Sequence, residues 1–332
     1  MAWRGVHLTA PACLSYSQGA LKIERDKHDP ITVPMEDLGW LIIDTPRATL
    51  TSRLLSACAE ADVLVLVSDE RHLPVGALIP RSGYHRQLAT IKAQTMVPEG
   101  MRKRLWRALV KAKLSNQSVT LRVSHPSDPI VRKSAKAIAA MAGRVKPGDP
   151  ENIEAVAAQS YWPKLFPGLT RGAETDGRNA RLNYAYAIMR AILARELAAR
   201  GFELSLGLHH HNELNPQNLA DDLIEPFRPL CDSLVFDLLA AEHPNLASAE
   251  AARLDAPGLS VETRRALANL PAYQVLLGDE AISLLTAASR VVAGLRAALI
   301  NGKPDLLELP TQLLAGFSPK LFPPAGEHDR DS

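Results

Sequence analysis

Short apolar runs set apart by turn residues fill roughly the first quarter of the chain. Val6-His7-Leu8, Ala20-Leu21-Lys22-Ile23, Trp40-Leu41-Ile42-Ile43 and Val63-Leu64-Val65-Leu66-Val67 each read as a strand. The last two are continuous rather than alternating, which is the pattern of strands covered on both faces. Between them, Thr49-Leu50-Thr51-Ser52 followed by RLLSACAEA predicts an N-cap and a short helix. Pro74, Gly76 and Pro80 are expected to break the regular pattern there. From about residue 86 the reading changes to long helices. ARLNYAYAIMRAILARELAARG repeats its apolar residues every three or four positions and ends at Gly201, placed to act as the glycine just past a helix end. LADDLIEPFRPLCDSLVFDLLAAE and AISLLTAASRVVAGLRAALIN behave alike, with Pro226 and Pro229 expected to break or kink the first. The pattern predicts an α+β chain. A small β-rich N-terminal domain over residues 1–85 joins a larger all-α C-terminal domain over 86–332, whose tail PPAGEHDRDS is polar and expected to fray.

Composition narrows the class. A hydrophobic fraction of 46% and a charged fraction of 22% over 332 residues allow a sizeable core and exclude wholesale disorder. The net charge is only +2, which excludes a uniformly basic coat but not a local basic patch. Cys13, Cys58 and Cys231 show no paired CxxC spacing, so a reducing, cytoplasmic setting is the expectation. The N-terminus lacks the long apolar core of a secretory signal, and no run of about 18 apolar residues predicts a membrane span. No GxGxxG, GxxxxGK[ST], HExxH or GxSxG occurs, so these motifs give no support to dinucleotide, P-loop, zinc-protease or serine-hydrolase chemistry.

Charge is unevenly placed. Between Glu99 and Asp149 twelve Lys and Arg residues face only three acids. The stretch reads either as a solvated helix surface or as a phosphate-binding face, with Arg102, Lys103, Arg104, Arg107 and Lys111 at its start.

Candidate chemistry sits in LGLHHHNELNPQNLADDLIEPFRP. Three adjacent histidines precede a segment bearing Asp221, Asp222 and Glu225. On one helix, Asp222 and Glu225 would share a face and repel unless a cation or a proton lay between them. Carboxylate oxygens with one imidazole suit Mn²⁺, and Mg²⁺ where water completes the shell. The plainer reading is a histidine loop followed by acids that decorate a helix N-terminus. In DPENIEAVAAQSYWPKLF, Glu154 lies beside Ala155, Ala157 and Ala158, and Tyr161, Trp162 and Phe166 predict that this helix packs inward.

NIEAVAAQSYWPKLF, RNARLNYAYAIMRAILARELAARG and LGLHHHNELNPQNLADDLIEPFRP, in that order, resemble the CRISPR-associated integrase of spacer acquisition. WRGVHLT, ERDKHDPITVPMEDLGWLIID and VSDERHLPVGALIP are similar to its type II branch, and within it II-C. The resemblance covers nearly the whole chain. It implies a dimerising β-rich domain and a helical catalytic domain. The family's first metal ligand falls on Glu154, its histidine on His210 by counting back from the EPFRP glutamate, and its last ligand on Glu225. Asp222 stands nearby, and the run of three histidines leaves His209 and His211 as neighbouring registers. Glu213 has no counterpart and reads as solvated. Asn179 and Asn183 match polar positions of the family's central helix and read as structural.

The reaction implied is integration: a DNA 3′-hydroxyl attacks a phosphodiester at the edge of a CRISPR repeat, with Mg²⁺ or Mn²⁺ as cofactor. The implied partners are prespacer and repeat DNA, a second copy of the chain, and a small ferredoxin-like adaptation subunit in a 4:2 complex. The type II effector nuclease is a further partner. A stand-alone nuclease on branched DNA and a non-catalytic DNA-binding scaffold are the rival readings.

Overall fold

The computed structural model describes residues 4–80, 87–173, 176–242 and 259–312. The expected boundary between residues 85 and 86 and the PPAGEHDRDS tail lie outside them. The first part runs β1 (Arg4–Leu8), β2 (Ala12–Ser17), β3 (Ala20–Glu24), β4 (Ile31–Pro34), β5 (Leu38–Ile43), β6 (Ala48–Leu50), α1 (Ser52–Glu60), β7 (Leu64–Ser68) and β8 (Pro74–Ala77). One sheet has the order β1-β5-β7-β8 and the other β4-β3-β2-β6. β1, β5 and β7 are parallel, whereas β8 closes the first sheet antiparallel.

The continuous apolar run of β5 has a physical cause. Leu41 and Ile43 face a core shared with Leu14, Leu21, Leu54 and Val65, while Trp40 and Ile42 join the core of the helical part with Leu64 and Leu66. Each side of the sheet is covered, so alternation disappears. Gly5 is required in β1, opposite Trp40 of β5, because a Cβ there would stand 1.9 Å from the Trp40 ring. Thr51 caps α1 by accepting the Leu54 N–H, as expected. The expected break at Pro74 and Gly76 is a strand instead: β8 is an outer strand, where a missing N–H costs no ladder bond.

The helical part runs α2 (Gln87–Thr95), α3 (Glu99–Ser124), α4 (Pro129–Arg144), α5 (Ile153–Leu165), α6 (Gly177–Ala199), α7 (Asn218–Leu223), α8 (Arg228–Glu242), α9 (Val261–Leu267), the hairpin β9 (Gln274–Leu277) and β10 (Glu280–Ser283), and α10 (Leu284–Asn301). α3 is the spine and packs on α4, α5 and α8, while α6 packs on α8 and α10. Its buried face recurs at Leu105, Trp106, Leu109, Val110, Lys113, Leu114, Gln117 and Leu121. α6 ends before Gly201, whose φ of 76° is the left-handed value expected there. The architecture is α+β, a β-rich N-terminal part followed by a mostly helical remainder, with the small β9–β10 hairpin added to it.

α10 departs from the expectation of no apolar span. Its 18 residues have a mean hydropathy of 1.3, long and apolar enough for a membrane by composition. Its Ala287, Ala288, Val291, Val292 and Leu295 are fully buried in the helical core, which accounts for that composition. The three cysteines are free.

One ionic cluster ties the two parts together. Asp44, just after β5, is buried and bonded to His7 Nε2 at 3.1 Å, His72 Nδ1 at 2.6 Å and, from α9, Arg264 Nε at 3.0 Å.

Candidate functional site

The first turn of α5 is fixed by Asp149, whose carboxylate accepts the N–H groups of Ile153 and Glu154, each at 3.0 Å. This presents Glu154 to α3, where the Lys113 ammonium donates to its Oε1 at 2.5 Å. The same ammonium donates to Oε2 of Glu225, and Arg228 Nε donates to Glu225 Oε1 at 2.8 Å. Lys113 is 8% exposed and Glu225 6%. Burial alone would raise the Glu225 pKa, but the Lys113 and Arg228 charges outweigh it and hold the group at about 2. Burial opposes the charge on Lys113 too, yet the two glutamates leave its pKa above the ordinary lysine value.

Asp222 and Glu225 do not share a helix face. α7 stops at Leu223, and Glu225 lies in the turn before α8, where Pro226 cannot donate to continue the ladder. The two carboxylates therefore point at different partners. Asp222, fully buried, accepts backbone N–H groups from Leu208 at 2.5 Å, His209 at 3.0 Å and His210 at 3.2 Å. It also binds Nδ1 of His210 at 2.6 Å. Gly207 makes this wrap possible, since a Cβ there would lie 2.3 Å from the His210 carbonyl and 2.8 Å from Asp222 Oδ2. The hydrogen bond that His210 donates to Asp222 raises the His210 pKa against the opposing effect of partial burial, and the Glu225 charge adds to it.

The three histidines have separate surroundings. His209 stacks on Trp106 of α3 at 4.2 Å and 3°, and His210 meets the same indole edge-on at 5.8 Å. His211 and Glu213 are exposed, and Asp221 is held by Arg190 Nε at 2.6 Å. Asn179 donates to the carbonyls of Thr170 and Ala173, and Arg171 donates to Asn179 and Asn183, so both amides fasten the loop before α6.

Among the described residues, no three His, Cys, Asp or Glu side chains are arranged as a ready cage for a metal. The two glutamates meet at Lys113, and the charge of Glu225 reaches His210. The donor set nevertheless fits a divalent ion. Two carboxylates already share one cationic partner, and an imidazole committed through Nδ1 to a carboxylate leaves Nε2 as the ligand atom.

The basic residues divide. Lys103 pairs with Glu99 at 2.6 Å, and Arg107 Nε donates to the Val145 carbonyl at 2.8 Å. Arg104 is exposed, and Arg102 lines a hollow of about 540 Å³ beside Gly207, His211 and Asn218. Lys113, counted in the basic excess, is not on the surface at all. Sequence reasoning also missed Trp106 and Arg228 as parts of the site. Lys113 carried a signal, for it stands seven residues after Trp106 on the buried face of α3.

A family model described as CRISPR associated protein Cas1 matches residues 6–269. The chain belongs to the Cas1 family. It is 35% identical over 313 residues to the CRISPR-associated endonuclease Cas1 of Neisseria meningitidis serogroup C (strain 8013), covering 93% of this chain and 96% of that Cas1. The fold is similar to a casposase bound to integration product, with a TM-score of 0.67 at 17% identity over 91% of this chain and 92% of that one. It is also similar to a Cas6-RT-Cas1–Cas2 complex, with a TM-score of 0.64 at 17% identity over 93% of this chain and 36% of that one. The resemblance drawn from the ordered motifs is thus a family membership, and a Cas1 nuclease is the coarse description of this chain.

Proposed function

We propose that this Cas1-family chain is a metal-dependent DNA endonuclease and integrase that inserts short foreign DNA into a CRISPR repeat array. The observation that carries the reading is the pairing of Glu154 with Glu225 across a single cation, beside a histidine held by a buried aspartate. Glu154, Glu225 and His210 Nε2 would hold Mg²⁺ or Mn²⁺. Bound there, the ion would polarise a phosphoryl oxygen and lower the pKa of the attacking 3′-hydroxyl. Asp222 fixes the tautomer and aim of His210. Arg228, over the Tyr186 ring at 4.7 Å, holds the second oxygen of Glu225 and keeps that carboxylate ionised. With water in place of the 3′-hydroxyl, the same groups would support hydrolysis.

Two ends of a duplex require two sites at fixed separation. We therefore assign the working form to homodimers bridged by a small ferredoxin-like adaptation subunit in a 4:2 assembly, with the type II effector nuclease as a further partner. The casposase neighbour holds an integration product, and the Cas6-RT-Cas1 neighbour stands in a complex with Cas2, which supports both the reaction class and the partner.

The test is strand transfer of an oligonucleotide into supercoiled repeat plasmid by wild type and Glu225→Gln, with DNA binding measured on the same preparations. Covalent joining by wild type, lost in the variant with binding kept, is the expected result. Cutting without joining would favour a stand-alone nuclease, and near-normal joining by Glu225→Gln would remove that residue from the site.

A further inference from the structure

Lys113 is a basic residue in the interior of an acidic site. Its ammonium donates to Glu154 at 2.5 Å and to Glu225, and its side chain is only 11% exposed. α3 is held in place by α4, α5 and α8, so its backbone cannot retreat. Arg228 already satisfies the other oxygen of Glu225, and among the described residues Lys113 is the cation that faces the carboxylate pair from α3. The oxygens that make the pair a candidate for a divalent ion are the ones this ammonium occupies.

We propose that Lys113 is the resident counter-ion of Glu154 and Glu225, which a divalent cation must displace to bind. The proposal rests on the reading of these glutamates as metal ligands. A magnesium ion approaches carboxylate oxygen to about 2.0–2.1 Å, closer than an ammonium hydrogen bond. Two cations on the same oxygens would repel strongly in a site screened from water. Loading is therefore an exchange, and the ammonium leaves by rotation of its flexible side chain while α3 stays fixed. Until the exchange, the lysine holds the two carboxylates together and preserves the spacing that the ion will use. A lysine that served only as a brace would stabilise the fold but would not set the metal affinity.

The experiment titrates Mn²⁺ into the full-length protein without DNA and follows the paramagnetic resonance of free Mn²⁺. Lys113→Met and Lys113→Gln should bind Mn²⁺ at least about tenfold more tightly than wild type, because a competing positive charge is gone. Lys113→Arg, which keeps the charge, should stay near wild type. A second measurement needs no variant. Labelling of wild type with an amine-reactive reagent, read by mass spectrometry, should increase at Lys113 when Mn²⁺ saturates the site. Mn²⁺ binding by wild type with equal or weaker affinity in Lys113→Met and Lys113→Gln, or with Lys113 labelling unchanged by the ion, would overturn the exchange alone. Failure of every form to bind Mn²⁺ would overturn the metal reading and the exchange with it.

Discussion

Nδ1 of His210 lies 2.6 Å from Oδ1 of Asp222, a carboxylate that also gathers three successive backbone N–H groups of the histidine's own loop. The loop is thus folded around one buried charge, and the ring cannot turn without abandoning it. A metal-ligating histidine is commonly aimed by just such a carboxylate, which fixes the tautomer and strengthens the free nitrogen as a donor.

Asp222→Asn should therefore weaken Mn²⁺ binding about 10- to 100-fold while leaving the helical content unchanged. The amide offers one acceptor where the carboxylate offered two, so at least one loop N–H loses its partner. Calorimetric titration of the ion, beside a circular dichroism spectrum, checks this. Wild-type affinity in the variant would show that His210 needs no such support.

Gly207→Ala tests the same loop through space rather than charge. The added methyl would overlap the His210 carbonyl and Asp222 Oδ2, atoms that cannot withdraw without opening the wrap. We expect a loss of about 1–3 kcal/mol in stability together with weaker Mn²⁺ binding. An unchanged melting temperature would mean that the loop relaxes freely.

Asp44 predicts a pH dependence away from the site. Burial alone would raise its pKa, but His7, His72 and Arg264 outweigh burial and hold the group below the ordinary aspartate value. An acid so lowered stabilises the fold above its unfolded pKa, and that stability is lost as pH falls through the folded value. Asp44→Asn should cost about 3 kcal/mol at pH 7, since Arg264 is left buried without its charge partner. The difference from wild type should shrink below about pH 4. Urea unfolding of both proteins at the two pH values decides it, and a gap independent of pH would exclude ionisation of Asp44 as the source.

Much of this was legible in the residues themselves. The unbroken apolar runs of β5 and β7 predicted strands covered on both faces, and Gly201 marked the end of α6. Where the reading failed, tertiary context had overruled local pattern. Pro74 enters a strand because β8 is an edge, and α10 is apolar enough for lipid because the protein core surrounds it. In the site, the ordered motifs brought Glu154, His210 and Glu225 forward together. They did not reveal that Asp222 serves the histidine loop while Glu225 serves Lys113 and Arg228, because the placement of Pro226 permits either a kink or a complete break. Lys113 escaped notice because a lysine in a basic stretch reads as surface until its position on the buried face of α3 is weighed.

The basic stretch itself gives the last prediction. Five basic residues, Arg102, Lys103, Arg104, Arg107 and Lys111, open the stretch in the sequence, but the structure separates them by what they already bind. Lys103 spends its charge on Glu99, and Arg107 ties α3 to the end of α4 through the Val145 carbonyl. Arg102, Arg104 and Lys111 make no ion pair among the described residues, and Arg102 borders the hollow beside the histidine loop. Only charges that remain available can replace the counterions of a phosphate backbone. Each such contact contributes roughly 0.9 to the slope of log affinity against log salt. Replacing Arg102, Arg104 and Lys111 by alanine should therefore flatten the slope by up to about 2.7, alike for repeat and unrelated duplexes, because phosphate contacts carry no sequence information. Replacing Lys103 and Arg107 should leave the slope nearly intact and lower the melting temperature instead, through the lost link between α3 and α4. Binding isotherms at several salt concentrations, run for both variants beside thermal melts, separate the two groups. A slope that falls equally in both variants would show that Lys103 and Arg107 release their partners to meet DNA, and an unchanged slope in the triple variant would place the duplex on another face.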